Sequence, residues 1–211
     1  LPAIHFMGGV TTYRELDDAA NRIAASLIGM GVRKGDRVAL YCINSPFFAA
    51  SYFGILKAGA TVVTVSLLLH HSEVEYVLRN SGARAVIFHE AFSANIAAIR
   101  NHLPDLRNLV VIGNTSQVEA ATYAEIMATV AADPVEAEVD PEDDVAAILY
   151  TSGTTGDPKG AMLTHRNLLS NSGSVAFTLG IGQDDILLTV LPMFHSFAMT
   201  CCLITPIRQG S

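Results

Sequence analysis

RVALYCINSPFFAASYFGILKAGATVVTV, residues 37–65, is the stretch whose reading decides the fold. No charge occurs between Val38 and Leu56, and apolar character resumes after Lys57 as far as Leu69. A bilayer span needs about 20 apolar residues, so length alone would allow a membrane helix. The punctuation argues otherwise. RVALYC reads as a short buried strand. Asn44-Ser45-Pro46 reads as a helix start, with Pro46 at the first helical position, where a missing N–H is harmless. FFAASYFGILKAG makes a helix that stops at Gly59, and TVVTV is a β-branched strand. Strand, helix, strand with both faces apolar is the signature of a parallel sheet covered on both sides.

The alternation extends in both directions. Thr12 and Glu15 form a capping box, followed by Leu16, Ala20, Ile23 and Leu27 at helical spacing, with Gly29 and Gly31 closing the helix. Ser72 and Glu75 predict a second box ahead of Val74, Val77 and Leu78, with Gly82 as the stop. RAVIF, NLVVIG, VAAILYTS and ILLTVLP read as strands. SANIAAIRNHL, YAEIMATV, HRNLLSNSGSVAFTL and the start of FHSFAMTCCLITPIRQ read as helices. The expected fold is α/β: an open, mostly parallel sheet with helices on both faces.

Composition narrows the function. Half of the 211 residues are hydrophobic and 16% are charged, which suits a packed globular protein. The formal charge of −7 resides in AADPVEAEVDPEDD, residues 131–144, which holds seven acidic residues and no basic one. The remainder is balanced and carries no basic stripe for nucleic acid. The acidic run is expected to be a solvated linker. Cys42, Cys201 and Cys202 are poorly spaced for a metal or an internal disulfide, as in a reduced, cytoplasmic protein. Leu1 opens the sequence with no basic n-region, so no signal peptide is read, and the chain is expected to begin within a longer protein.

Chemistry concentrates in YTSGTTGDPKGAMLTH, residues 150–165. It follows the buried strand AAILY and feeds a loop, the place where open α/β sheets bind ligands. Gly153 and Gly156 permit backbone shapes that side chains forbid, and their N–H groups can converge on an anion. Thr151, Ser152, Thr154 and Thr155 add hydroxyl donors, and Lys159 adds a positive charge. Asp157 is the only acidic side chain in this stretch. The composition is that of a phosphate cradle. It is not a Walker A loop, because Asp157 and Pro158 separate Gly156 from Lys159 and Gly160 follows, so the lysine is expected to leave a turn.

This string resembles the phosphate-binding signature of the adenylate-forming enzymes, a family that includes acyl-CoA synthetases, luciferases and peptide-synthetase adenylation domains. LPMFHSFAMT, residues 191–200, resembles the next motif of the acyl-CoA synthetase branch. TYRELDDAANRIAASLIGMGVRKGDRVAL and ILKAGATVVTVSLLLHHSEVEYVLRNSGARAVI resemble the family's N-terminal region, so the likeness covers nearly the whole chain. Val65-Ser66 stands where many members carry Asn-Pro, and Ala198 where glycine is common; neither touches the phosphate loop.

The resemblance implies the first part of the large N-terminal domain of an acyl-CoA synthetase. A carboxylate would attack the α-phosphate of ATP–Mg to give an acyl-adenylate and pyrophosphate, and coenzyme A would then displace AMP. It places Thr151, Ser152, Gly153, Thr154, Thr155, Gly156 and Lys159 on the phosphates, Thr151 also on Mg2+, and His195, between Phe194 and Phe197, beside the reacting carboxylate. Lys159 and His195 are thus the catalytic candidates. The domain reading is 1–130 as an α/β portion, 131–144 as the linker, and 145–211 as strand, loop and the start of the next portion. The family's adenine, ribose and C-terminal lysine contacts would lie further on, so residues 1–211 alone are expected to form no adenylate. The resemblance, with FHSF leaning to fatty acyl substrates, makes a fatty or similarly apolar carboxylic acid, ATP and CoA the expected small-molecule partners, with no nucleic acid and no transmembrane segment. A peripheral membrane contact stays open, as does a homodimer in which the helix bearing Phe194, Phe197, Met199, Leu203 and Ile204 is covered by a second copy. Other readings also stay open: a non-catalytic binding or assembly module, a P-loop enzyme, or an aryl-CoA ligase or amino-acid adenylation domain.

Overall fold

The computed structural model describes residues 1–151 and 158–211. The elements are β1 (Pro2–Phe6), β2 (Gly9–Thr12), α1 (Tyr13–Gly29), β3 (Arg37–Tyr41), α2 (Pro46–Lys57), β4 (Thr61–Thr64) and α3 (His71–Ser81). Next come β5 (Ala83–His89), α4 (Ser93–Ile99), β6 (Asn108–Ile112), β7 (Ala121–Thr122), α5 (Tyr123–Thr129) and β8 (Val145–Thr151). The chain continues with β9 (Lys159–Thr164), α6 (His165–Leu179), α7 (Ser196–Ala198) and α8 (Thr205–Gln209). The β1–β2 hairpin stands apart as a two-stranded sheet.

The main sheet runs β7-β6-β5-β3-β4-β8-β9. Every pair is parallel except β8 with β9. Side-chain alternation in the strands feeds two cores. Val38 and Leu40 of β3 join Ile23 and Leu27 of α1 with Phe48, Tyr52 and Ile55 of α2. Ala39 and Tyr41 join Val74, Val77 and Leu78 of α3 with Ile96 and Ile99 of α4 on the other face. Each large side chain so buried contributes about 1.5–3 kcal/mol. The chain steps from β3 to β4, then crosses back to lay β5 on the far side of β3. Such reversals open a crevice at the carboxyl ends of the strands.

Helix starts follow local chemistry. Thr12 caps α1 through a reciprocal box with Glu15, and Ser45 caps α2 with Pro46 in its first turn. The second box is displaced from its expected place. α3 is capped at His70, whose N–H donates to the Glu73 carboxylate at 2.8 Å. Glu75 turns instead to Arg79 at 2.6 Å and His102 at 3.1 Å, because cationic partners one turn on and across the surface lie within its reach.

Two expectations near the end of the chain are corrected. ILLTVLP forms no strand: its stripe of Ile186, Leu188 and Val190 is 88, 83 and 75% exposed. A period-two stripe becomes a strand only when its backbone finds a ladder to pair with. The following helix is not left wet. It passes from α7 through a π-helical turn, Met199–Ile204, into α8, and Met199, Leu203 and Ile204 enter the core against α6 and the sheet, while Phe197 stays exposed.

The acidic segment is fastened along its length. The Val135 N–H donates to Asn21 Oδ1, the Ala137 N–H to the Lys57 carbonyl, and Asp144 pairs with Lys34 at 2.7 Å. Among the described residues no helix is long and apolar enough to cross a membrane.

Candidate functional site

β8 reaches the carboxyl rim of the sheet beside β4 and ends at Thr151. The chain returns as β9, so Lys159 opens an antiparallel strand rather than leaving a turn. Thr151 and Lys159 are direct cross-strand partners, the last pair of this hairpin before its connection, and both are exposed. Ser152, Gly153, Thr154, Thr155, Gly156 and Asp157, which bridge them in sequence, lie outside the described residues. One pair back, Tyr150 faces Gly160. A Cβ on Gly160 would sit 2.8 Å from Ile148 Cγ2 and 3.1 Å from Tyr150 Cζ, so glycine lets the tyrosine ring lie across β9. The Tyr150 hydroxyl donates to Asn80 Oδ1 at 2.6 Å and ties the hairpin to α3. Burial raises the Tyr150 pKa.

His195 reaches the same rim by a different route. It caps α7, and its Nδ1 accepts the Phe197 N–H at 3.3 Å. A ring nitrogen accepting from a backbone amide carries no proton, which leaves Nε2 as the donor in the neutral ring. The residues before it are pinned to the ends of β3 and β4. Asn44 Nδ2 donates to the Leu191 carbonyl at 2.8 Å, and Asn44 Oδ1 accepts the Met193 N–H at 2.7 Å. Thr64 Oγ1 donates to the Phe194 carbonyl at 2.9 Å. Sequence reading missed both residues: Asn44 looked like part of a helix start and Thr64 like a strand residue. Its neighbours in sequence give no sign of partners some 130–149 positions away.

Other groups of chemical interest are set aside by their surroundings. Burial pushes the Cys42 thiol up to about 12 and raises Cys201 and Cys202, so none is an activated nucleophile. His165 is half-buried at the start of α6, and burial lowers its pKa. His70 and His71 lie against each other at the start of α3. Among the described residues no three His, Cys, Asp or Glu side chains cluster to hold a metal. Open clefts lie elsewhere: one of about 600 Å³ beside β6 and β7, and an apolar one of about 460 Å³ between α1, α2 and residues 135–139. Neither is lined by Thr151, Lys159 or His195. Their shape alone does not outweigh the placement of the donors, because ligands of open α/β sheets sit beyond the strand ends.

Fold and rim together give an open, mostly parallel α/β sheet with hydroxyl, ammonium and imidazole groups along the rim where its parallel strands end. The chain belongs to the AMP-binding enzyme family, whose model matches residues 1–211. It is 36% identical over 197 residues to the long-chain-fatty-acid–CoA ligase FadD13 of Mycobacterium tuberculosis, covering 93% of this chain and 38% of that protein. Among solved structures, an anthranilate CoA ligase, AuaEII, in complex with anthranoyl-AMP matches with a TM-score of 0.95 at 32% identity, over 100% of this chain and 41% of that one. ATP-bound MatB from Rhodopseudomonas palustris matches with a TM-score of 0.86 at 28% identity, over 97% and 39%. The chain thus spans about two fifths of the length of these relatives.

Proposed function

We propose that this chain supplies the phosphate-binding and acid-facing part of an ATP-dependent acyl-CoA synthetase. The observation that carries the reading is the Thr151–Lys159 pair, the last of the β8–β9 ladder, whose two members are joined in sequence by a run of glycine and hydroxyl residues. In this reading Thr151, Ser152, Gly153, Thr154, Thr155, Gly156 and Lys159 hold the β- and γ-phosphates of ATP. A carboxylate attacks the α-phosphorus, the bond to the bridging oxygen breaks, and pyrophosphate leaves with the electron pair. The charge that grows on the leaving group is met by fixed donors and the Lys159 ammonium, which therefore act more strongly on the transition state than on bound ATP. The donor set fits such an anion: among the described residues Lys159 forms no ion pair that would neutralise it. Thr151 would hold Mg2+, which supplies further charge neutralisation when bound. His195, with Nε2–H as its free donor, sits at the acid end. The thiol of CoA then attacks the acyl carbon and AMP departs.

The acid we favour is an aliphatic one, supported by the Phe194 and Phe197 flanks of His195 and the likeness to FadD13. An aromatic acid is the second reading, favoured by the match to the anthranilate CoA ligase. The test is ATP–pyrophosphate exchange in the full enzyme with a panel of fatty and aryl acids. Lys159→Ala should depress exchange on the order of 100-fold, the usual loss for one transition-state charge contact, and leave thioester formation from preformed acyl-adenylate near wild type. Equal losses in both half-reactions would contradict a phosphate-holding role.

A further inference from the structure

We infer that Asn44 and Thr64 are positioning residues that set His195 against the reacting acid. This rests on the reading above, in which His195 faces the carboxylate. The argument begins with the hydrogen bonds on the segment that leads to His195. Residues 191–194 form no strand, yet the Leu191 carbonyl, the Met193 N–H and the Phe194 carbonyl all have partners. The carboxamide of Asn44 gives one donor and one acceptor to residues two apart, which is what a neighbouring strand would offer. Asn44 stands in the bend between β3 and α2, three residues past the end of the β3 ladder, and its side chain supplies this pairing there. Thr64, the last residue of β4 and 5% exposed, anchors the next carbonyl. The loop after β3 and the end of the adjacent parallel strand β4 therefore hold three of the four residues before His195: Leu191, Met193 and Phe194.

The ring is then fixed locally. The His195 N–H donates to the Pro192 carbonyl at 3.0 Å, the His195 carbonyl accepts the Met199 N–H at 2.9 Å, and Nδ1 accepts from Phe197. Backbone and ring orientation are both specified, and Nε2 is the atom left to meet a ligand. Thr64 is buried, and Asn44 is half-buried with its carboxamide nitrogen and oxygen both engaged by the 191–193 backbone. Their effect on the reaction must pass through the 191–195 segment. A shift of about 1 Å in a reacting group can lower a rate on the order of 100-fold.

The experiment compares Thr64→Val, Thr64→Ser, Asn44→Ala and His195→Ala in the full enzyme, by acid-dependent ATP–pyrophosphate exchange and by the 1H–13C correlation spectrum of the histidine rings. Thr64→Val keeps the shape and loses the donor. It should lower kcat for exchange on the order of 10-fold or more, with the KM for ATP unchanged, and shift the His195 ring resonances. Thr64→Ser should restore both. In the His195→Ala background Thr64→Val should add no further loss, because two residues acting through one group are not additive. Additive losses, or a Thr64→Val enzyme with wild-type exchange, would overturn the inference. If no acid supports exchange in the wild type, the functional reading fails by itself; the ring spectrum still decides the positioning, and resonances that stay put in both Thr64→Val and Asn44→Ala overturn it.

Discussion

Gly54 sits in the second half of α2 where that helix packs against α1, and Gly54→Ala is the sharpest test of how this half of the core is built. A Cβ there would lie 2.7 Å from both Cβ and Cγ2 of Ile23 and 2.9 Å from the Ala20 carbonyl oxygen, where ordinary contact begins at 3.4 Å. Turning Ile23 about χ1 would move Cγ2 but leave its Cβ in place, and the carbonyl belongs to helix backbone. The two helices must therefore part. Ala20, Ile23, Ala24 and Leu27 are all within 1% of full burial, so a gap along this seam forfeits tight contacts on both sides. Overpacking of this kind costs about 1–3 kcal/mol, and contact with two atoms that cannot swing away places it near ~3. Alanine returns about 1 kcal/mol as the better helix former. The net expectation is a loss of about 2 kcal/mol, or roughly 4–8 °C in Tm for a domain of this size. Gly29→Ala is the internal control. Gly29 ends α1 with nothing within 4 Å of its would-be Cβ, so that change should be neutral or raise stability by up to about 1 kcal/mol. Thermal and urea unfolding followed by circular dichroism read both. A Gly54→Ala protein that melts at or above wild type would refute the close-packed seam.

Three further outcomes are expected. Gly160→Ala should push the Tyr150 ring off β9 and loosen its bond to Asn80, lowering stability by about 1–2 kcal/mol; an unchanged melting curve together with an unchanged Tyr150 environment by near-ultraviolet dichroism would speak against it. Asp144 has its pKa held below the ordinary 3.8 by the hydrogen bond from Lys34 and then by the Asp140 N–H. A carboxylate depressed on folding adds stability above its unfolded pKa and loses it as pH falls through the folded value. The gap between wild type and Asp144→Asn should therefore be full at neutral pH and close below about pH 3.8, and a gap that widens in acid would reverse the assignment. The stripe of Ile186, Leu188 and Val190, with Phe177 at 90% exposure, should draw two copies of the 211-residue chain together. Sedimentation equilibrium at micromolar concentration checks this, and a clean monomer indifferent to Leu188→Ser and Phe177→Ser would rule it out.

Much of this protein was legible in short stretches. Thr12 with Glu15 and Ser45 with Pro46 mark helix starts because capping satisfies backbone donors within four residues. The apolar runs around Val38, Val62 and Val86 show two-sided burial because a strand between two layers has no wet face. Parallel strands and helices on both sides followed from that periodicity. Sheet order, by contrast, was settled by pairing across long separations. Nothing near Lys159 announces that it opens β9 opposite Thr151, since KGAMLT gains strand structure only from the ladder that β8 offers. The same dependence cuts the other way at Ile186, Leu188 and Val190, where the stripe is present and the ladder is not. The clamp on residues 191–194 joins side chains 130–149 positions away from their partners. A hydrogen-bonding side chain in a sequence names only what it can give, and only the folded chain decides which backbone atom it meets.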